Sequence, residues 1–188
     1  LTTTSYGDSP YQSFSARAGN PNFIDFAELI EAGYLEQRDI DGVYLGSDPS
    51  NVDYGAIFGG RRQILDRAAE RFAADKPADF DGFIQTNEDW LIPYCEFMTV
   101  KEECGLKAFW EWPAELRTRG EASAKVCAAH PARMLYHQMT QYFFDRQWSR
   151  LKAYANENGI QLVGDIPIYV SADSVDAWAV SYTHLTLP

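Results

Sequence analysis

ARMLYHQMTQYFFDRQWSRLKAYANENGIQLVGDIP, residues Ala132–Pro167, changes its rhythm at a single glycine. Up to Asn158, the residues Tyr136, Phe143, Phe144, Trp148, Leu151 and Ala155 recur at three and four positions, the period of one helix face. Gly159 supplies the left-handed residue that such a helix needs to stop. Ile160–Ile166 is then a short β-branched run that ends at Asp165 and Pro167, and it predicts a strand. A helix leading directly into a strand predicts an α/β fold.

Working outward, residues 1–22 carry Gly7, Pro10, Gly19 and Pro21 among Ser, Thr and Asn, too densely punctuated for a helix or a regular strand. A short helix is expected over Asn22–Tyr34, with Gly33 near its end, and a loop between Gln37 and Tyr54. Tyr54–Asp75 places Ile57, Phe58, Ile64, Leu65, Ala68 and Phe72 on one side of a second helix. Residues 78–105 give a third, and FWEWP at Phe109–Pro113 reads as a short aromatic turn. No internal repeat or low-complexity tract is present. The pattern therefore divides into a loop (1–22), a mainly helical insertion (23–130) and a helix–strand unit (131–180). One strand cannot close a (β/α)8 barrel, which takes about 250 residues. The alternatives are an all-helical protein with a stray strand or a piece of something larger.

Composition excludes several classes. Of 188 residues, 46% are hydrophobic and 14% aromatic, enough for a buried core. The net charge of -11 disfavours a nucleic-acid backbone or an anionic membrane as partner, and a neutral ligand is indifferent to it. Cys95, Cys104 and Cys127 lack the CxxC pairing of a metal site, and Cys127 with His130 and His137 does not make a zinc spacing. They read as free thiols of a cytoplasmic protein. No stretch approaches the ~20 apolar residues that span a bilayer.

Candidate functional residues follow from chemistry. Asp165 closes the expected strand, where barrel enzymes mount their working groups, although with Pro167 it could simply make a turn. Tyr6, Ser9 and Tyr11 combine aromatic rings with small polar groups, as a neutral sugar demands: a pyranose face stacks on a ring and its hydroxyls need partners. Composition alone favours an ordinary surface loop. Trp110 and Trp112 could form a sugar platform, but alternating aromatics in a short turn more often plug a small core. His130 and His137 read as satisfied side chains of the long helix. Asp173 and Asp176 read as caps of the turn leading to Trp178, too close together in one loop to flank a glycosidic bond as a retaining pair about 5–5.5 Å apart.

YGDSPYQS at Tyr6–Ser13, AGNP at Ala18–Pro21, FFDRQW at Phe143–Trp148, GDIPIYV at Gly164–Val170 and DSVDAW at Asp173–Trp178 together resemble the amylomaltases, the 4-α-glucanotransferases of glycoside hydrolase family 77. The resemblance covers most of residues 1–180 and is loose over 35–130. It implies a partial (β/α)8 TIM barrel with a mainly helical inserted subdomain, the YGDSPYQS loop following the second strand and Asp165 ending the third. It also implies retaining transfer between α-1,4-glucans: an aspartate attacks C1, a glutamate protonates the leaving sugar, and a second glucan replaces water as acceptor. No cofactor or metal is required. Tyr11 would stack beneath the sugar at the cleavage point with Ser9 beside it and Asp165 in the floor. Tyr6 would belong to a second glucan site whose companion falls at Phe58, where the ring is kept and a hydroxyl is lost.

The nucleophile and acid/base of that family are expected outside this chain, so the polypeptide itself is expected to be inactive. SYTHLTLP at Ser181–Pro188 has no counterpart and is expected to be a foreign tail, which removes His184 from consideration. The alternative function is a non-catalytic carbohydrate-binding remnant of the same family. An α-amylase-like hydrolase is a third reading, which YGDSPYQS disfavours. Oligomeric state is not readable.

Overall fold

The computed structural model describes residues 2–3, 9, 11–48, 50–164 and 170–179. Over these residues the protein is helical: α1 (Phe26–Glu31), α2 (Gln37–Asp41), α3 (Tyr54–Ala74), α4 (Phe80–Glu103), α5 (Glu121–Ala129), α6 (Pro131–Glu157) and α7 (Val175–Trp178). One-turn 3-10 segments precede α1 and follow α4. The only β pairing among the described residues is an isolated antiparallel bridge between Thr2 and Gly19.

The three long helices occur where the apolar period places them. Asp53 caps α3 by accepting from the Ala56 amide at 2.9 Å. Positive φ values at Gly105 (69°) and Gly159 (73°) follow the ends of α4 and α6. The helix expected over Asn22–Tyr34 begins as a 3-10 turn at Pro21–Phe23 and resumes as α1, capped by Asp25 through the Ala27 amide. The loop expected after Gln37 contains α2. That helix has almost no apolar period; it is held by Asp39, which accepts from the Glu36 amide at 2.8 Å and pairs with Arg71 of α3 at 2.5 Å.

The expected strand is not found: Ile160–Gly164 are irregular and exposed, and Asp165–Tyr169 lie outside the described residues. A strand exists only by exchanging hydrogen bonds with a neighbour, and no other described segment supplies an edge. The (β/α)8 component of the expected α/β fold is therefore not seen among the described residues, which are mainly helical.

Packing forms two centres. In one, Phe72 of α3 meets Phe80 edge-on at 4.9 Å and Phe143 of α6 at 5.7 Å, surrounded by Ile64, Leu65 and Met139. In the other, Phe97 of α4 packs on Trp112 (5.5 Å) and Trp178 (5.6 Å), and the Trp178 indole donates to Leu116 O at 2.9 Å. Two glutamines of α6 then tie down the N-terminal loop. Gln141 accepts from the Gly19 amide (2.7 Å) and donates to the Gly19 carbonyl (2.9 Å). Gln147 does the same to Asp25, at 2.7 and 3.1 Å. Each side-chain amide thus satisfies one backbone donor and one acceptor that no strand partner covers.

A second hollow, about 680 Å³, opens beside α6 and is walled by Phe23, Trp148, Leu151 and Tyr154. Together with Ile160, Leu162 and the 93% exposed Val163 it leaves much apolar surface in water. The expected result is concentration-dependent self-association, measured by light scattering behind size exclusion; a single monomer mass from about 1 to 100 μM would contradict this reading of the exposed surface.

Candidate functional site

A cleft of about 860 Å³ lies between the N-terminal loop, α3, α4, α6 and the 170–173 segment. Tyr11 from the loop, Phe58 from α3 and Trp110 from the aromatic turn all line it, and they are 65%, 58% and 49% exposed. Phe58 therefore does not join the buried side of α3 with Ile64 and Phe72, as the helical period suggests; it faces the cleft. In FWEWP the plug is Trp112, 1% exposed, while Trp110 stands on the cleft wall.

The two sequence signatures meet here. The Ala16 amide donates to Asp176 Oδ2 at 2.8 Å, and the Val175 amide donates to Phe14 O at 2.9 Å. Asp176 is thus a clamp on the loop that carries Tyr11, and not the cap expected from its position; Ser174 caps α7, accepting from the Ala177 amide. Asp173 is not a cap either. Its Oδ2 pairs with Lys101 Nζ at 2.6 Å and its Oδ1 accepts from the Phe109 amide at 3.2 Å. Lys101 also donates to Lys107 O at 2.9 Å, so its nearly inaccessible ammonium has a carboxylate and a carbonyl partner.

Ser9 does not line the cleft. Its Oγ is 3.4 Å from the Tyr11 amide and its carbonyl accepts from Gln12 N at 3.0 Å, so it shapes the turn that presents Tyr11. Asn20, buried at the cleft edge, accepts from the Asn22 amide at 2.9 Å and fixes the following turn. Tyr6 and Asp165 lie outside the described residues. Of the residues expected to bind sugar, the structure brings Tyr11 and Phe58 to one cavity.

Deeper in the cleft, Glu102 of α4 gathers cations from α3 and α6. It meets Arg62 at 2.6 Å, Arg133 at 3.0 Å and the buried His137 at 2.9 Å. The His137 contact is close but not aligned as a hydrogen bond, and neither Glu102 Oε1 nor His137 Nε2 has a hydrogen-bond partner among the described residues. Burial alone raises the Glu102 carboxyl, but His137 and Arg62 outweigh it and bring it down to about 2. Burial lowers His137, against the pull of Glu102. An acid held that low cannot protonate a leaving group near neutrality. Asp173, the other carboxylate lining the cleft among the described residues, is engaged with Lys101. No cluster of His, Cys, Asp or Glu able to hold a metal occurs among the described residues. The three cysteines are free, and no described helix is long and apolar enough to cross a membrane.

Sequence reasoning missed the Glu102–Arg62–Arg133–His137 cluster and the Lys101–Asp173 pair. The available signal was Lys101 and Glu102 side by side in an otherwise aromatic stretch of α4, and a His–Arg spacing of four on α6.

The chain matches the family model described as 4-alpha-glucanotransferase (Glyco_hydro_77) over residues 1–186. It is 50% identical over 182 residues to a 4-alpha-glucanotransferase of Streptococcus pneumoniae, covering 95% of this chain and 36% of that protein. It is 38% identical over 184 residues to one from Thermus thermophilus, with the same coverage. The structure of amylomaltase from Streptococcus agalactiae in complex with acarbose superposes with a TM-score of 0.89 at 45% identity, covering 96% of this chain and 37% of that one. The chain thus spans little more than a third of the length of these relatives, and across the length it spans it belongs to the 4-alpha-glucanotransferase family, glycoside hydrolase family 77.

Proposed function

We propose that this chain forms one wall of the glucan cleft of a 4-α-glucanotransferase, which moves α-1,4-glucan segments between maltooligosaccharides or starch-like glucans by retaining double displacement. The observation that carries the reading is the exposed Tyr11 ring on an 860 Å³ cleft, on a loop clamped from 160 residues away by Asp176. An exposed ring on a tethered loop suits the apolar face of a pyranose, because the loop loses little conformational freedom on binding. The sugar analogue bound by the Streptococcus agalactiae amylomaltase supports a carbohydrate ligand.

In this reading the chain carries part of the barrel, the attacking aspartate and protonating glutamate lie outside it, and Asp165 belongs to the floor of the complete site. The described carboxylates of the cleft are committed to Arg62, Arg133 and Lys101 and serve structure. Ser9 acts through the turn that holds Tyr11. Tyr6 and Phe58 would make a second glucan contact by stacking alone. The partners are an α-1,4-glucan donor and an acceptor sugar, no cofactor takes part, and the protein works in the cytoplasm.

Calorimetric titration with maltoheptaose tests the binding half: Tyr11→Ala is expected to weaken affinity about tenfold, and an unchanged Kd would remove Tyr11 from the site. Incubation of the pure chain with maltotriose is expected to release no glucose. Robust release would mean that the catalytic carboxylates are within it.

A further inference from the structure

We propose that Trp110 is a further sugar-stacking platform of the cleft, presented by the Lys101–Asp173 ion pair as a positioning strut; the inference rests on the glucan reading above. The turn at Phe109–Trp112 carries three aromatic rings that the fold treats differently. Trp112 is buried against Phe97 and Trp178, and Phe109 packs on Trp112 at 6.3 Å. Trp110 remains half exposed, on the cleft wall. Leaving half an indole in water forgoes the stabilisation that its burial would bring, so its exposure is informative only if the backbone beneath it is rigid.

The backbone is tied down at several points. The Phe109 amide is held by Asp173 Oδ1, the Lys107 carbonyl accepts from both Lys101 Nζ and the Trp112 indole at 2.9 Å, and Lys101 closes the set on Asp173 Oδ2. Lys101 is 2% exposed, and burying an ammonium is costly unless its protons are used. Here they bind α4, the aromatic turn and the 170–173 segment into one wall. The charges of that wall cancel locally, so it offers Trp110 an apolar, neutral setting suited to a pyranose face and unsuited to an anionic ligand. A preset indole also loses little freedom when a sugar settles on it.

The test is calorimetric titration of the chain with maltoheptaose in four forms: wild type, Trp110→Ala, Trp110→Phe and Asp173→Asn, with the Trp110→Ala/Asp173→Asn double variant closing a cycle. Trp110→Ala is expected to raise Kd about tenfold while keeping a cooperative unfolding transition, and Trp110→Phe to stay within about threefold of wild type. Asp173→Asn is expected to weaken binding in the wild-type background and to add almost nothing once Trp110 is gone, which a purely structural role for the pair would not produce. Wild-type affinity in Trp110→Ala overturns the platform and leaves the glucan reading intact. Additive losses in the cycle overturn the strut. Failure of the wild-type chain to bind maltoheptaose, with Tyr11→Ala equally silent, overturns both readings.

Discussion

Glu102→Ala is expected to lower the unfolding free energy by about 3–5 kcal/mol, read by urea titration at pH 7. The carboxylate is the meeting point of α3, α4 and α6, and its removal leaves Arg62 and Arg133 beside a buried His137 with one anion, Asp66, at the edge. Desolvated cations without their counter-ion account for the size of the loss. A domain of this length has about 5–15 kcal/mol to lose, so the variant should sit close to unfolding. Loss below about 1 kcal/mol would show that water reaches the cluster and screens it.

The same cluster fixes the sign of the acid response. The folded Glu102 carboxyl is lowered from 4.5 to about 2, so its contribution is complete above pH 4.5 and fades as pH falls toward 2. Burial lowers His137 below its ordinary 6.5, so folding also resists its protonation, and that contribution fades as pH falls below 6.5. Both act in one direction. The melting temperature is expected to fall steadily on acidification from pH 7, and His137→Gln should flatten the upper part of that slope.

Gly19→Ala is expected to cost about 3 kcal/mol and to abolish measurable glucan binding, by thermal melt and calorimetry. A methyl at Gly19 would stand 2.0 Å from Phe144 Cδ1, inside the ring's own volume. The φ at this glycine is not among the positive ones, so the constraint is close approach and not backbone freedom. Relief would require the loop to lift from α6, breaking both bonds to Gln141 and carrying away Asn20 and Pro21, which line the cleft. Phe144→Ala in the same background should restore part of the stability by making room; no rescue would place the cause elsewhere.

The long helices were legible because their apolar period is strong and their caps are local: Asp53 before α3, Gly105 after α4, Gly159 after α6. α5, EASAKVCAA, escaped because its alanine-rich face carries little contrast, and α2 because an ion pair to Arg71 substitutes for an apolar stripe. The strand reading at Ile160 relied on β-branched composition, but a strand is a property of pairs, and composition says nothing about whether the partner is at hand. Tyr11 and Phe58 were legible as rings whose neighbours resemble a known family. Trp110 and Trp112 were indistinguishable, since only packing against Phe97 and Trp178 separates the buried indole from the exposed one. The roles of Asp173 and Asp176 were unreadable locally: their partners are 72 and 160 residues away.

That last separation bears on how the molecule is made. The clasp between the Ala16 amide and Asp176 encloses 160 residues, and so remote a closure is entropically costly until the helices between have already packed. During synthesis the residues around Tyr11 emerge before α6, where Gln141 ties down Gly19, and before the Ser174–Trp178 turn, where Asp176 completes the clasp. The rim of the cleft should therefore be the last of the described parts to acquire its shape, after the helical scaffold on which it sits.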